Sequence, residues 1–219
     1  MKIEKRLVNA SHGLVHRVQK PTGSGPFPAT VMLHGWGGDE NVMWIFAHTV
    51  PQGWLILAPR GIHPDGEGGF NWGPHMPGIQ SGVAGYTEAT GALEGFIRSL
   101  PDLYGAVPAR TYLMGFSQGA AMSFVLAFIR PGLLSGIAGL AGMIPSGVEP
   151  LAPHRPLEGL PVFMANGTED ERVPIAEARK SVERIKAAGA QVTYVEEQVG
   201  HKIGREGMRA LKEWWHDRR

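Results

Sequence analysis

Six short apolar runs recur along the chain, at residues 29–33, 55–58, 111–115, 137–141, 161–165 and 192–195, and longer helix-period segments separate most of them. A strand that is apolar on both faces belongs in a parallel sheet covered by helices, since a strand with one wet face would alternate apolar and polar residues. The intervening segments supply the cover. Residues 87–100 align Ala89, Leu93, Phe96, Ile97 and Leu100 on one side. Residues 175–188 align Ile175, Ala178, Val182 and Ile185, and Gly189 is a natural stop. Met208, Leu211 and Trp215 share one side of a final helix, whereas 118–129 is apolar nearly all round, as a buried helix is. Upstream, residues 7–10 and 14–19 flank Ser11-His12-Gly13 and read as an antiparallel hairpin. The expected architecture is α/β, a mostly parallel sheet between two helical layers.

Composition narrows the function. Lys and Arg total 21 against 20 Asp and Glu, so there is no basic field to hold a nucleic-acid backbone. The chain has no Cys, which removes disulfide scaffolds, thiolate metal sites and a thiol nucleophile together. Its first residues are charged rather than apolar, and the most apolar stretch, 124–144, is broken by Arg130-Pro131. No signal peptide and no membrane span are therefore expected, and a cytoplasmic location follows as the default. At 219 residues, without a linker or repeat, the expectation is one domain over 1–219. Nothing in the sequence decides between a monomer and a homodimer.

Gly115-Phe116-Ser117-Gln118-Gly119 has the form G-x-S-x-G. The pattern is common by chance, but here a buried strand precedes it and a buried helix follows. A Ser in that position sits on a strained strand-to-helix turn with its hydroxyl exposed, and the helix N-terminus favours developing negative charge. Ser as a plain helix N-cap is the bland alternative. A serine hydroxyl needs a base to take its proton, and the base needs a carboxylate to orient it. In hydrolases with such a turn the chain order is Ser, acid, His. Downstream of Ser117 stand His154, in a Pro-rich loop; His201, between the last strand and last helix; and His216, on the terminal helix. His201 is the candidate base. Asp170 is the only Asp between Asp102 and Asp217, and it follows the strand at 161–165, with Glu169 as the alternative acid.

Acyl transfer also needs N–H donors for the oxyanion. The residue after the nucleophile, Gln118, offers one. The Gly-rich turn His34-Gly35-Trp36-Gly37-Gly38-Asp39 after the strand at 29–33 offers another, at Trp36. His34 precedes Ser117, so a role bracing this turn fits it better than that of base. No Walker lysine or G-x-G-x-x-G is present, which argues against a nucleotide cofactor.

Together with Ala58-Pro59-Arg60-Gly61, residues 167–174 and Gly200-His201, these motifs resemble the phospholipase/carboxylesterase family of α/β-hydrolases, which includes carboxylesterases and acyl-protein thioesterases. The resemblance implies a triad of Ser117, Asp170 and His201, oxyanion donors at Trp36 and Gln118, and no metal or other cofactor. The segment Phe70-Asn71-Trp72-Gly73-Pro74-His75 departs from that family's usual acyl-groove loop. Too few residues lie between 141 and 161 for a cap domain, so an open crevice for short- to medium-chain esters is expected. Phe70, Trp72, Met76, Met143 and Ile144 lie on two long loops, 61–85 and 142–159, and are the candidate substrate-binding residues. Equally, loop aromatics can simply bury a loop. The leading expectation is a serine carboxylesterase acting on a small-molecule ester. A thioesterase of the same mechanism and a non-catalytic binder on the same scaffold are the alternatives.

Overall fold

A computed structural model describes residues 4–6, 13–73, 82–148 and 155–218 of the chain. In chain order it contains β1 (Glu4–Arg6), β2 (His16–Gln19), β3 (Phe27–Leu33), β4 (Leu55–Pro59), β5 (His63–Pro64) and β6 (Phe70–Asn71). Then come α1 (Thr87–Tyr104), β7 (Ala106–Phe116), α2 (Gln118–Ile129), β8 (Gly136–Leu140), β9 (Pro161–Gly167), α3 (Ile175–Ala187), β10 (Gln191–Glu197) and α4 (Arg205–His216). Eight of the strands form one sheet in the order β1-β2-β4-β3-β7-β8-β9-β10, and β5 and β6 form a separate ribbon. From β4 to β10 the pairs are parallel; β1 and β2 are antiparallel additions at one edge.

Successive side chains of a strand face opposite sides, so each doubly buried strand feeds two cores. Ala29, Val31 and Leu33 of β3 face one core and Met32 the other; Leu113 of β7 faces the first, Tyr112 and Met114 the second. The first core is closed by Phe96 of α1, Phe124 of α2 and Ile185 of α3. The second is closed by Leu211, Trp214 and Trp215 of α4 and by a 3-10 segment, Val42–Thr49, through Met43 and Phe46. Each fully buried large apolar side chain contributes roughly 1.5–3 kcal/mol.

The sheet and the helices match the expected class, with differences at the edges. The hairpin partner of β2 is 4–6, with Glu4 opposite Val18, while residues 7–10 lie outside the described part. α1 runs past Pro101, which cannot donate to the carbonyl four residues before it, to Tyr104, and Gly105, left-handed at φ 72°, ends it. β7 begins at Ala106, before its apolar stretch. Neither the 3-10 segment nor the β5–β6 ribbon was expected.

β3 lies between β4 and β7, so the chain leaves its carboxyl end first toward one side of the sheet and later returns on the other. Such a reversal opens a crevice beyond the strand ends. The turns following β3 and β7 both lie there.

Candidate active site

One residue, Ser117, separates β7 from α2, and this turn forces it to φ 53°, ψ −114°. Its N–H donates to the Leu140 carbonyl at 2.8 Å, and its carbonyl accepts from Ala120 and Ala121 at 3.0 and 3.2 Å. Crowding leaves the flanking positions to glycine: a Cβ on Gly115 would lie 2.2 Å from the Gly119 oxygen, and one on Gly119 would lie 2.2 Å from the Leu33 oxygen.

Two loops from the far half of the sheet meet this hydroxyl. His201 Nε2 is 3.0 Å from Ser117 Oγ, and His201 Nδ1 is 2.7 Å from Asp170 Oδ2. The other oxygen of Asp170 accepts the N–H groups of Arg172 and Val173 at 2.8 and 2.9 Å, so a fully buried carboxylate is held from two directions. The loops are also joined through their backbones: Thr168 N–H donates to Glu197 and Glu169 N–H to Val199, at 2.9 and 3.1 Å. Phe116 packs edge-on against the imidazole with centroids 5.2 Å apart. Glu169 points elsewhere and accepts from Gln198 Nε2 at 2.9 Å in an exposed pair. His216 lies on α4, and His154 falls outside the described residues.

The turn after β3 is built on His34, which is wholly buried. Its Nδ1–H donates to the Gly35 carbonyl at 2.7 Å, and its Nε2 accepts the Gly61 N–H at 2.8 Å. In a planar trans peptide the Trp36 N–H is antiparallel to the Gly35 carbonyl, so fixing that carbonyl on the ring turns the N–H away from it. Burial pushes the His34 pKa below its ordinary value of 6.5. The turn is brace and backbone, as expected of His34. Gln118 opens α2, and the first N–H groups of a helix have no intrahelical acceptor.

The residues expected to line a substrate pocket separate. Trp72 is 0% exposed; its indole N–H donates to the His34 carbonyl at 3.0 Å and its ring lies against that imidazole. Ile144 is 2% exposed, with its N–H on Ser181 Oγ at 3.0 Å. Neither presents surface to a ligand, which corrects their assignment: both bury their loops against the domain. Phe70 and Met143 are half-buried, Phe70 beneath the Arg60 guanidinium at 4.3 Å. Met76 lies outside the described residues. Trp36 is 45% exposed. Unforeseen were the Gln118 side chain, which accepts the Trp72 N–H at 2.9 Å, and Asn71, whose Oδ1 accepts the Gly37 N–H at 3.0 Å. No local pattern marks either, since both partners are distant in sequence.

Among the described residues no three His, Asp or Glu side chains converge as a metal ion needs, and no helix is long and apolar enough to cross a membrane.

Residues 22–216 match the model of the phospholipase/carboxylesterase family. The chain is 29% identical over 171 residues to acyl-protein thioesterase 1 of Yarrowia lipolytica, covering 70% of this chain and 74% of that one. Its fold matches the crystal structure of the Bacillus cereus carboxylesterase at a TM-score of 0.83 with 26% identity, over 94% of this chain and 95% of the other. It also matches a Mesorhizobium loti carboxylesterase structure at a TM-score of 0.84 with 22% identity, over 97% and 98% of the two chains. With the match extending from before β3 to the last residue of α4, this chain belongs to the phospholipase/carboxylesterase family, whose members include esterases and thioesterases.

Proposed function

We propose that the protein is a serine carboxylesterase that hydrolyses short- to medium-chain esters through an acyl-enzyme on Ser117. The observation that carries the reading is the continuous chain of contacts from Ser117 Oγ through the His201 ring to the buried Asp170, at 3.0 and 2.7 Å. Ser117 Oγ attacks the ester carbonyl carbon while its proton passes to His201 Nε2. Asp170 holds the ring with Nδ1–H toward itself and stabilises the imidazolium. The carbonyl oxygen, now anionic, takes hydrogen bonds from the N–H groups of Trp36 and Gln118. On collapse His201 returns the proton to the departing alkoxide and the alcohol leaves. Water then attacks the acyl-enzyme, giving its proton to His201; the acid leaves, and the proton returns to Ser117 Oγ.

Trp36, Phe70 and Met143 are the accessible candidates for apolar contact with the substrate, a surface suited to modest acyl chains. Ser117→Ala is expected to abolish turnover of p-nitrophenyl butyrate with an unchanged circular dichroism spectrum. Undiminished turnover in that variant removes the assignment.

A second reading, thioester hydrolysis by the same steps, is favoured by the similarity to proteins named acyl-protein thioesterase 1. Oxygen and sulfur esters of equal chain length separate the two by their kcat/KM ratio. A non-catalytic binder on this scaffold predicts no labelling of Ser117 by a fluorophosphonate.

A further inference from the structure

The neighbour of one oxyanion donor assigned above and the side chain of the other are bonded to one short strap of chain. Asn71, the last residue of β6, accepts the N–H of Gly37, the neighbour of Trp36, on its Oδ1 at 3.0 Å. The next residue, Trp72, donates its backbone N–H to Gln118 Oε1 at 2.9 Å. The strap is laid directly on the turn: Phe70 N–H donates to the Gly38 carbonyl at 2.9 Å, and the Trp72 indole N–H to the His34 carbonyl at 3.0 Å. At Gly69 the two backbones approach so closely that a Cβ would lie 2.2 Å from the Gly37 oxygen.

Asn71 is 1% exposed. A buried amide side chain is unfavourable unless its hydrogen bonds are used, and an apolar residue would fill the same space without that cost. Its bond holds the peptide after Trp36, at a position where Gly37 has φ 66° and little intrinsic preference. An oxyanion hole works only when both donors reach one oxygen at about 2.7–3.1 Å, so a small rotation of either peptide is felt in the transition state more than in the bound substrate.

We propose that Asn71 and the side chain of Gln118 are positioning residues: acting through the strap 70–72, they set the separation between the Trp36 and Gln118 N–H donors. The proposal rests on the reading of Ser117, Trp36 and Gln118 given above. It concerns a segment in which this chain departs from the usual family pattern.

The test uses the full chain and two variants: Asn71→Ala, and Gln118→Met, which keeps the backbone N–H and side-chain length but loses the acceptor. Each is measured as kcat per fluorophosphonate-titrated site, as KM, and as inhibition by a trifluoromethyl ketone matched to the substrate, whose adduct carries an oxyanion. Outright loss of one donor typically lowers rate by about 10²–10³, so loosening one is expected to lower kcat roughly 10–100-fold. KM should stay within about threefold, and the ketone should weaken by the same factor as kcat/KM. Because both residues act through one strap, the double variant should be little worse than the poorer single one. A kcat per titrated site within about twofold of wild type in both variants, or a loss confined to KM, overturns the proposal. Should Asn71→Ala not fold, Gln118→Met decides alone by the same thresholds. A wild-type protein that fails to label at Ser117 instead removes the esterase reading, a separate outcome.

Discussion

The N–H of Gly61 lies 2.8 Å from His34 Nε2 and is directed at it, an arrangement that only a neutral ring accepts, because a protonated ring would oppose one N–H to another. Burial lowers the His34 pKa from 6.5, whereas in the unfolded chain the ring titrates near its ordinary value. Between the two values the unfolded chain holds a proton that the folded protein refuses. His34 therefore favours folding fully above about 6.5, and that contribution is lost as pH falls below it. We expect the urea midpoint of the wild type to fall between pH 7 and pH 5 by more than that of His34→Gln. Parallel pH dependence in the two proteins would exclude this role. At pH 7 the variant should itself be weaker by about 1–3 kcal/mol, the cost of leaving the buried Gly61 N–H poorly paired.

Asp170 and Glu169 were both admissible acids from the sequence, and their different partners predict different phenotypes. In Asp170→Asn the oxygen would remain on the Arg172 and Val173 N–H groups, turning the amide NH2 toward His201 Nδ1. The ring would then carry its proton on Nε2, facing Ser117, and could not take another. The comparable change in a serine protease lowers kcat by about 10⁴, and a loss of that order is expected here with KM little altered. Glu169→Gln, which alters only an exposed contact with Gln198, should stay within about twofold. Stopped-assay kcat and KM for both variants check the pair; a larger loss in Glu169→Gln would reverse the assignment.

Just after the Gly-rich turn 34–39, the wholly buried Glu40 is gripped by Arg60 through two bonds of 2.7 and 3.0 Å. Removing the guanidinium leaves a charge in the interior, a change that costs about 3–5 kcal/mol. Because Arg60 itself reaches water, the lower end is expected for Arg60→Met. The double variant Arg60→Met, Glu40→Met should recover most of the loss. Urea denaturation of the three proteins measures it, and an additive double variant would show that the two side chains act separately.

Strands buried on both faces leave runs that periodicity can detect, and the chain order of Ser117, Asp170 and His201 left few candidates for each role. The core of the fold and the composition of the candidate triad were legible for those reasons. The 3-10 segment Val42–Thr49 was not, because its single buried stripe of Met43 and Phe46 is too short to carry a period. Trp72 and Trp36 both read as loop aromatics; only the close approach of 69–72 to the turn after β3 makes one a buried brace and leaves the other exposed. Asn71 and the Gln118 side chain were illegible for a related reason, as their partners lie 34 and 46 residues away.

Ser117 carries a further, measurable consequence of its turn. At φ 53°, ψ −114° an L residue is strained, and such strain costs about 1–3 kcal/mol at functional positions. Ser117→Ala and Ser117→Gly both lose the hydroxyl proposed as the nucleophile, so neither should turn over ester, but they differ in their tolerance of this backbone. Glycine adopts the conformation freely, while its more flexible unfolded state offsets part of the gain by about 0.4–1 kcal/mol. Ser117→Gly should therefore be more stable than Ser117→Ala by roughly 1 kcal/mol, since the strain relieved exceeds the entropy lost. Equal unfolding midpoints with equal denaturant slopes would mean that the strain relieved is no larger than this entropic offset, about 0.4–1 kcal/mol, and so below the range expected of a strained turn.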